Sequence, residues 1–251
     1  MTAASGVAEV LIDSPPVNAL TVRDWFDLAD AVTTAGRDPG TSAVILMAAG
    51  RGFCAGVDIK ELQREGPAAV IGCNRGCYQA FAAVYECEVP VIAAVNGHCL
   101  GGGIGLAGNA DIVVADEAAT FGLPEVDRGA LGAATHLSRL VPPQLMRHMV
   151  YTCQPVPAQE LLRHGSVYQV VPAAELHGAA RAIAADIAAK DPRVIRMAKE
   201  SLNGIDPVDV KRSYRFEQGF TFELNLTGTA DRARDAFLAE KAGGGDAGPQ
   251  A

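Results

Sequence analysis

Residues 43–60 read AVILMAAGRGFCAGVDIK, and residues 89–105 read VPVIAAVNGHCLGGGIG. Each stretch begins with a continuous apolar run of strand length, Ala43–Ala48 in the first and Val89–Val95 in the second, as in strands that are covered on both faces. A glycine-rich loop and then a helical pattern follow each run. The repeated order of strand, glycine loop and helix predicts an α/β fold.

The segments around these two stretches continue the same order. Thr21 with Asp24 three residues later predicts a capping box at the start of a helix. Further helices are expected over Lys60–Arg64 and about Ala68–Tyr85, and further strands over Val7–Ile12, Asp111–Ala115, Ala119–Gly122 and Val167–Val171.

The C-terminal part of the chain has a different pattern. From about Pro142 the sequence is mainly helical, and residues 208–241 form one long amphipathic segment. A glycine-rich tail from Gly243 is expected to be disordered. We therefore predict a core over residues 1–195 and a helical C-terminal region with a flexible tail over residues 196–251.

The composition restricts the class of protein and its partners. The 251 residues are 49% hydrophobic, so the chain can bury a full core. The formal net charge is −8, so the chain has no basic surface for nucleic acid.

No membrane span is expected, because Asn96, Gly97 and His98 interrupt the longest apolar run. Met1–Asp13 has no basic region, so no signal peptide is expected. The six cysteines are expected to be reduced packing residues of a cytoplasmic protein.

The glycine loops allow several interpretations. Gly103, Gly105 and Gly108 satisfy a dinucleotide-binding spacing, but Gly103 lies eight residues after the strand-like run ends at Val95, which argues against that motif. Neither loop contains the lysine of a phosphate loop. Two loops that each place backbone N–H groups at a helix start could form an oxyanion hole. The alternative is that the glycines serve only tight turns and close packing.

Four segments carry a resemblance to a known family: residues 16–20 (PVNAL), 52–61 (GFCAGVDIKE), 90–97 (PVIAAVNG) and 121–126 (FGLPEV). In this order and spacing they resemble the crotonase, or enoyl-CoA hydratase/isomerase, superfamily. The resemblance implies a ββα spiral core with a helical C-terminal trimerisation region. It also implies an acyl-CoA thioester substrate, whose enolate two backbone amides stabilise. By position these amides belong to Val57 and Gly102.

The same resemblance implies where CoA binds and how subunits assemble. It places Ala55, Val57, Asp58, Ile59 and Lys60 along the CoA path, and it lets Phe237 and Lys241 of the C-terminal helix reach the CoA of a neighbouring subunit. A homotrimer or hexamer is expected. No cofactor is expected other than the CoA that belongs to the substrate, and no spacing of His, Cys or carboxylates suggests a metal site.

The catalytic groups differ from those of the family's hydratases, which use two glutamates. The position of the first is Gly105, so simple double-bond hydration is disfavoured, whereas Glu125 keeps the second and is our leading general base. Asp127 and His136 are additional candidates because both depart from the common pattern. Glu125 could instead be a solvated residue at a helix start, and a lone histidine among apolar residues is usually a hydrogen-bonded core residue.

A finer likeness concerns residues 75–77 (RGC), 84–87 (VYEC), 129–140 (GALGAATHLSRL) and 217–226 (EQGFTFELNL). These resemble the ring-opening hydrolases of bacterial cholesterol degradation within the superfamily. The resemblance implies hydrolytic C–C cleavage in a bicyclic, steroid-derived CoA thioester. An enoyl-CoA hydratase or isomerase of lipid metabolism, and a non-catalytic acyl-CoA-binding scaffold, are the alternatives.

Overall fold

The computed structural model describes residues 6–243 and has a five-stranded parallel sheet at its centre, with strand order β1-β3-β6-β8-β11. A second sheet has the order β10-β9-β7-β4, and β2 pairs with β5 in a two-stranded ladder. The strands are β1 Val7–Ile12, β2 Ala19–Leu20, β3 Ala43–Ala48, β4 Gly52–Cys54, β5 Gly56–Val57, β6 Val91–Val95, β7 His98–Leu100, β8 Ile112–Asp116, β9 Thr120–Gly122, β10 Val156–Pro157 and β11 Gln169–Val171.

The helices cover both faces of the large sheet and form the C-terminal region. They are α1 Val22–Arg37, α2 Ile59–Glu65, α3 Pro67–Tyr85, α4 Gly102–Ala107, α5 Ala134–Leu137, α6 Pro143–Thr152, α7 Ala158–His164, α8 Leu176–Ala188, α9 Pro192–Gly204, α10 Val210–Leu226 and α11 Thr229–Gly243. Two short 3-10 helices lie at Val126–Arg128 and Ala173–Glu175. The predicted α/β class is confirmed.

Local sequence explains the best-predicted elements. Thr21 and Asp24 form the expected capping box at the start of α1. Strand β3 has the predicted bounds, and its residues Ala43–Leu46 are buried because packed side chains cover both faces of the sheet. Asp58 caps α2 by accepting the Lys60 N–H.

One buried side chain connects the turn after β1 to the loop of the first glycine-rich segment. The Asn18 side-chain amide donates to the carbonyl oxygens of Ala49 and Gly52, and its Oδ1 accepts the Ser14 N–H. These bonds hold the short β2 beside β5. As a result β5 lies next to the N-terminus of α4, where the candidate site is located.

Two features of the C-terminal region differ from the sequence-based expectation. The amphipathic segment over residues 208–241 is two helices, because Gly228 adopts φ +68° between α10 and α11 and reverses the chain. The predicted boundary after residue 195 falls inside α9. The expected disorder after Gly243 concerns residues 244–251, which lie outside the described part of the chain. Among the described helices, none combines the length and apolar character needed to cross a bilayer.

Candidate active site

A cavity of about 100 Å³ lies among α2, α3, α10, α11 and the turn that leads into α4. Most of its wall is apolar, and the polar side chains that line it come from α3, α10, α11 and the segment after β9. The lining residues are Val57, Leu62, Val70, Cys73, Asn74, Cys77, Phe81, Gly102, Glu125, Ala130, Leu131, Gly132, Ala133, Tyr214, Thr221, Asn225 and Arg234.

The two residues predicted to supply an oxyanion hole both line this cavity. Gly102 is the first residue of α4, so its N–H has no partner within the helix. The Asp58 N–H donates to the Leu20 carbonyl at 2.9 Å. That the neighbouring Val57 N–H faces the cavity stays a prediction.

The close approach of β5 to the start of α4 depends on a glycine. A Cβ on Gly56 would lie 3.1 Å from the Gly102 nitrogen, and Gly56 has φ +88°. Only glycine combines that backbone conformation with so short a contact. The predicted pairing of two backbone donors from separate glycine loops therefore has a geometric basis in this fold.

Glu125 is the acidic residue of the cavity and lies at the end of the segment that follows β9. Its Oε2 is buried and has no hydrogen-bond partner within residues 6–243. Burial raises the pKa of this carboxyl to about 8, because the charged form loses its hydration. A carboxylate with a pKa near neutral and an unoccupied oxygen is suited to remove a proton from a bound water.

The position of the hydratases' first glutamate is filled from a neighbouring helix. A Cβ on Gly105 would lie 2.2–2.4 Å from three ring atoms of Phe81, so the Phe81 ring occupies the space that a side chain would need. Phe81 also packs against Trp25, His136 and Tyr214. The chain has thus replaced a second carboxylate with a packed aromatic ring.

His136 is a core residue behind the wall of the cavity. It is not among the lining residues, and its ring packs against those of Phe81 and Tyr214 with centroid distances of 4.9 Å to each. Its Nδ1 is 3.1 Å from Asn109 Oδ1. Burial lowers the pKa of His136 to about 3, so it is neutral at physiological pH. The structure therefore does not bring His136 together with Glu125 in the cavity.

Asp127 is also separate from the cavity, because the 3-10 helix that follows Glu125 turns it onto the exposed surface. It lies beside the thiol of Cys153, whose pKa is raised mainly by burial. The expectation that Asp127 or His136 assists Glu125 thus finds no support in the placement of these side chains.

The residues expected along the CoA path lie in the segment 55–60, of which Val57 lines the cavity. Ala55, Val57, Asp58 and Ile59 are partly buried and Lys60 is exposed, and their contact with CoA stays a prediction. Phe237 lies in α11 with the Arg128 guanidinium 3.5 Å from its ring centre in the same chain. Lys241 also belongs to α11, but its side chain lies outside the described part. That these two reach a neighbouring subunit's CoA stays a prediction.

Sequence reasoning missed the polar groups that α10 and α11 supply, namely Thr221, Asn225 and Arg234. A signal for Arg234 exists, since Ala230, Arg234 and Phe237 share one face of α11 at helical spacing. Arg234 therefore lies on the face of α11 that packs against the rest of the protein. All six cysteines are free thiols, as predicted, and Cys73 and Cys77 belong to the cavity wall.

Comparisons with known proteins agree with this geometry. Residues 2–237 match the family described as Enoyl-CoA hydratase/isomerase. A protein of Rhodococcus jostii (strain RHA1) named (7aS)-7a-methyl-1,5-dioxo-2,3,5,6,7,7a-hexahydro-1H-indene-carboxyl-CoA hydrolase is 64% identical over 238 residues, 94% of this chain and 92% of that protein. A Mycobacterium tuberculosis (strain ATCC 25618 / H37Rv) protein of the same name is 65% identical over 234 residues, 93% of this chain and 95% of that protein.

The fold is also that of a solved family member. The crystal structure of an enoyl-CoA hydratase/isomerase from Xanthobacter autotrophicus Py2 superposes with a TM-score of 0.83 at 28% identity, and the match covers 95% of both chains. The expected crotonase-like core is thereby confirmed. From the family match over nearly all of its length, we conclude that the chain belongs to the enoyl-CoA hydratase/isomerase family.

Proposed function

We propose that this chain hydrolyses a carbon–carbon bond in the five-membered ring of a 7a-methyl-1,5-dioxo-hexahydroindene-carboxyl-CoA thioester, a remnant of steroid breakdown. The observation that carries the proposal is that Glu125, whose Oε2 has no hydrogen-bond partner among the described residues, lines one cavity with Val57 and Gly102. The relatives whose names state this activity are 64–65% identical to the chain over more than nine-tenths of its length.

The substrate's own bonds explain why these groups suffice. With the hydrogens placed as in the relatives' name, the six-membered ring keeps one double bond, between C3a and C4. A thioester conjugated with it must be on C4. The C1 ketone is bonded to C7a, and C7a is bonded to C3a. A negative charge left on C7a therefore extends through the double bond to the thioester oxygen.

The reaction then needs one base and one oxyanion site. Glu125 takes a proton from a water whose oxygen attacks C1. The bond between C1 and C7a breaks, C1 becomes a carboxylic acid, and the electron pair moves to the thioester oxygen between the Val57 and Gly102 amides. Glu125 returns its proton to C7a, and the new acid loses its own proton to solvent. Water is the only co-reactant, so the proposal needs no cofactor beyond the CoA of the substrate.

The site is poorly suited to ordinary hydration of a double bond. Hydratases of the family use a second glutamate, and the Phe81 ring fills the space beside Gly105 where that side chain would stand. The remaining wall is largely apolar, which suits a methylated bicyclic ring. A single carboxylate is enough for attack of water on a ketone, and a positioned base typically contributes about 10²- to 10⁴-fold in rate.

Incubation with the bicyclic CoA ester in H₂¹⁸O tests the proposal. Mass spectrometry should show a product heavier by one labelled water, with the label in the new carboxylate and no free CoA. Release of free CoA would mean thioester hydrolysis, and an unchanged substrate mass would mean double-bond isomerisation or no reaction. Both outcomes would contradict the proposal.

We also propose that the chain assembles as a homotrimer or a pair of trimers. Large apolar side chains are exposed on α9, just after its end and on α10, which is unusual for a surface that faces only water; they include Val194, Met197, Leu202, Ile205, Phe216 and Leu226. Sedimentation analysis should give three or six times the chain mass of 26.1 kDa, and a monomer would contradict this assembly.

The free thiols support the expected cytoplasmic location, since the cytosol keeps thiols reduced.

A further inference from the structure

A buried arginine shares the cavity with Glu125. Arg234 of α11 lines the cavity, and its side chain is only 7% exposed. Among the described lining residues it is the one cation, and Glu125 is the one acid. Burying a guanidinium is costly unless partners satisfy it, so its presence in a mainly apolar wall needs an explanation.

The partners of Arg234 leave part of the guanidinium unused. Nη2 donates to Asn225 Oδ1 at 3.0 Å and also bonds Asp231 Oδ1. The Asp231 side chain is 65% exposed, so solvent screens its charge. Arg234 Nε is buried and has no partner within residues 6–243. A buried donor without a partner at a cavity wall indicates a ligand acceptor.

Tight packing fixes α11 relative to the segment that carries Glu125. A Cβ on Gly129 would lie 2.7 Å from Ala230 Cα, so the first turn of α11 rests directly on the residue four positions after Glu125. The neighbouring Leu131 N–H donates to Thr221 Oγ1 of α10 at 3.1 Å. The arginine and the general base are therefore held at separate points of one rigid wall.

We propose that Arg234 binds the oxygen of the ketone that water attacks and then the carboxylate that ring opening makes from it. This inference rests on the proposed function, which converts a neutral C1 carbonyl into an anion at a distance from the thioester. The thioester oxygen is bound by backbone amides, so a second anionic site needs its own donor. A guanidinium offers charge and several N–H groups to a carboxylate. Because the interaction strengthens as charge develops, it favours the transition state over the substrate.

A pair of simple ligands tests this recognition by binding alone. In the opened product, the carbon path from the thioester carbon to the new carboxylate is C4, C3a, C3, C2 and C1, which is the path of adipyl-CoA. Hexanoyl-CoA has the same length and no carboxylate. We expect titration calorimetry to show that the wild-type protein prefers adipyl-CoA by roughly 10- to 100-fold, as for a charged hydrogen bond.

Arg234→Gln should reduce that preference to about one, and Arg234→Lys should keep part of it. Arg232→Gln is the matched control, because Arg232 is an exposed arginine of the same helix and its replacement changes the net charge equally. The ratio of two affinities in one protein does not depend on the folded fraction, so reduced stability of a variant leaves the test valid. No preference in the wild type, or an unchanged ratio in Arg234→Gln, would overturn the inference.

Turnover of the bicyclic ester separates this inference from the proposed function. If the wild type opens the ring and Arg234→Gln does so at an equal kcat, the role of Arg234 is wrong and the proposed function stands. If the wild type binds adipyl-CoA selectively through Arg234 and does not open the ring, the proposed function is wrong and the carboxylate site stands. The proposed function and the role of Arg234 are both supported if the wild type opens the ring and Arg234→Gln lowers kcat by a larger factor than it raises KM.

Discussion

The carboxylate of Glu125 lies directly against Gly101, since a Cβ on Gly101 would stand 2.6 Å from Glu125 Oε1. Gly101 has φ +56° and precedes the Gly102 amide. The general base and one oxyanion donor are thus positioned by the same backbone turn, which ties proton removal to stabilisation of the thioester oxygen.

Replacement of Glu125 by Gln should lower kcat for ring opening by about 10²- to 10⁴-fold, because a neutral amide cannot take the proton of the attacking water. The affinity for the CoA ester should change little, and calorimetry measures it. Asp127→Asn removes a carboxylate from the exposed surface two residues away and should keep near-normal turnover. Equal losses in both variants would mean that Glu125 has no special role.

The pH dependence of turnover should report the titration of Glu125. Burial raises its pKa to about 8, and the base acts in its deprotonated form. We therefore expect kcat/KM to rise as pH increases through about 8 and then to level off. A profile over pH 5.5–10 checks this, and a limb near the ordinary carboxyl pKa would contradict it.

Gly101→Ala should impair catalysis more than stability explains. The added methyl would collide with Glu125 Oε1, and displacement of a catalytic group by about 1 Å costs roughly 100-fold in rate. Gly50→Ala is the matched control, because Gly50 also has a positive φ, +78°, and open space around its Cβ position. Each variant should lose about 1–3 kcal/mol of stability, because alanine is strained at these positive φ angles. Only Gly101→Ala should lose kcat, and equal kcat values would refute the contact.

Gly105→Ala should destabilise the protein by about 1–3 kcal/mol, because its methyl overlaps the buried Phe81 ring. Gly178→Ala in α8, where the space is open, should instead gain up to about 1 kcal/mol. In a double-mutant cycle with Phe81→Ala, measured by urea unfolding, the cost of Gly105→Ala should nearly vanish. A cost that persists without the ring would show that something other than Phe81 fills the space.

Replacement of His136 should change the stability of the protein at acidic pH and should have little effect on catalysis. Burial lowers its native pKa to about 3 from the ordinary 6.5. Between these values the unfolded chain binds a proton at His136 that the native protein does not. The free energy of unfolding is therefore unaffected by this group above about pH 6.5 and decreases as pH drops from there towards 3. His136→Gln should show a shallower loss of unfolding free energy between pH 7 and 4.5. An unchanged slope would contradict the buried neutral state.

The sequence was most informative where local physics determines structure. A short β-like run predicted β1 and a continuous apolar run predicted β3, both with the bounds that the structure shows, and the capping box located the start of α1. The two- and three-residue strands β4, β5 and β7 were missed inside the glycine loops. They exist because distant segments pair with them, and no local pattern of two residues encodes such a partner.

The candidate site divides in the same way. The resemblance to the family identified Val57, Gly102 and Glu125, and the fold brings all three to one cavity. Spacing could not tell that His136 lies behind Phe81, because which face of a four-residue helix is buried depends on the helices packed around it. Arg234 was overlooked because a charged residue in a polar segment is normally solvated. It is buried because α11 packs against α10, α2 and the 3-10 helix that follows Glu125.

The most direct test of the central claim is a crystal structure of the protein with the ring-opened CoA thioester bound. We predict that the thioester oxygen lies about 2.7–3.1 Å from the backbone nitrogens of both Val57 and Gly102. The Glu125 carboxylate should face C7a, the carbon that was bonded to C1 before the ring opened. A thioester oxygen bound by neither amide, or a Glu125 carboxylate outside the acyl cavity, would contradict the account.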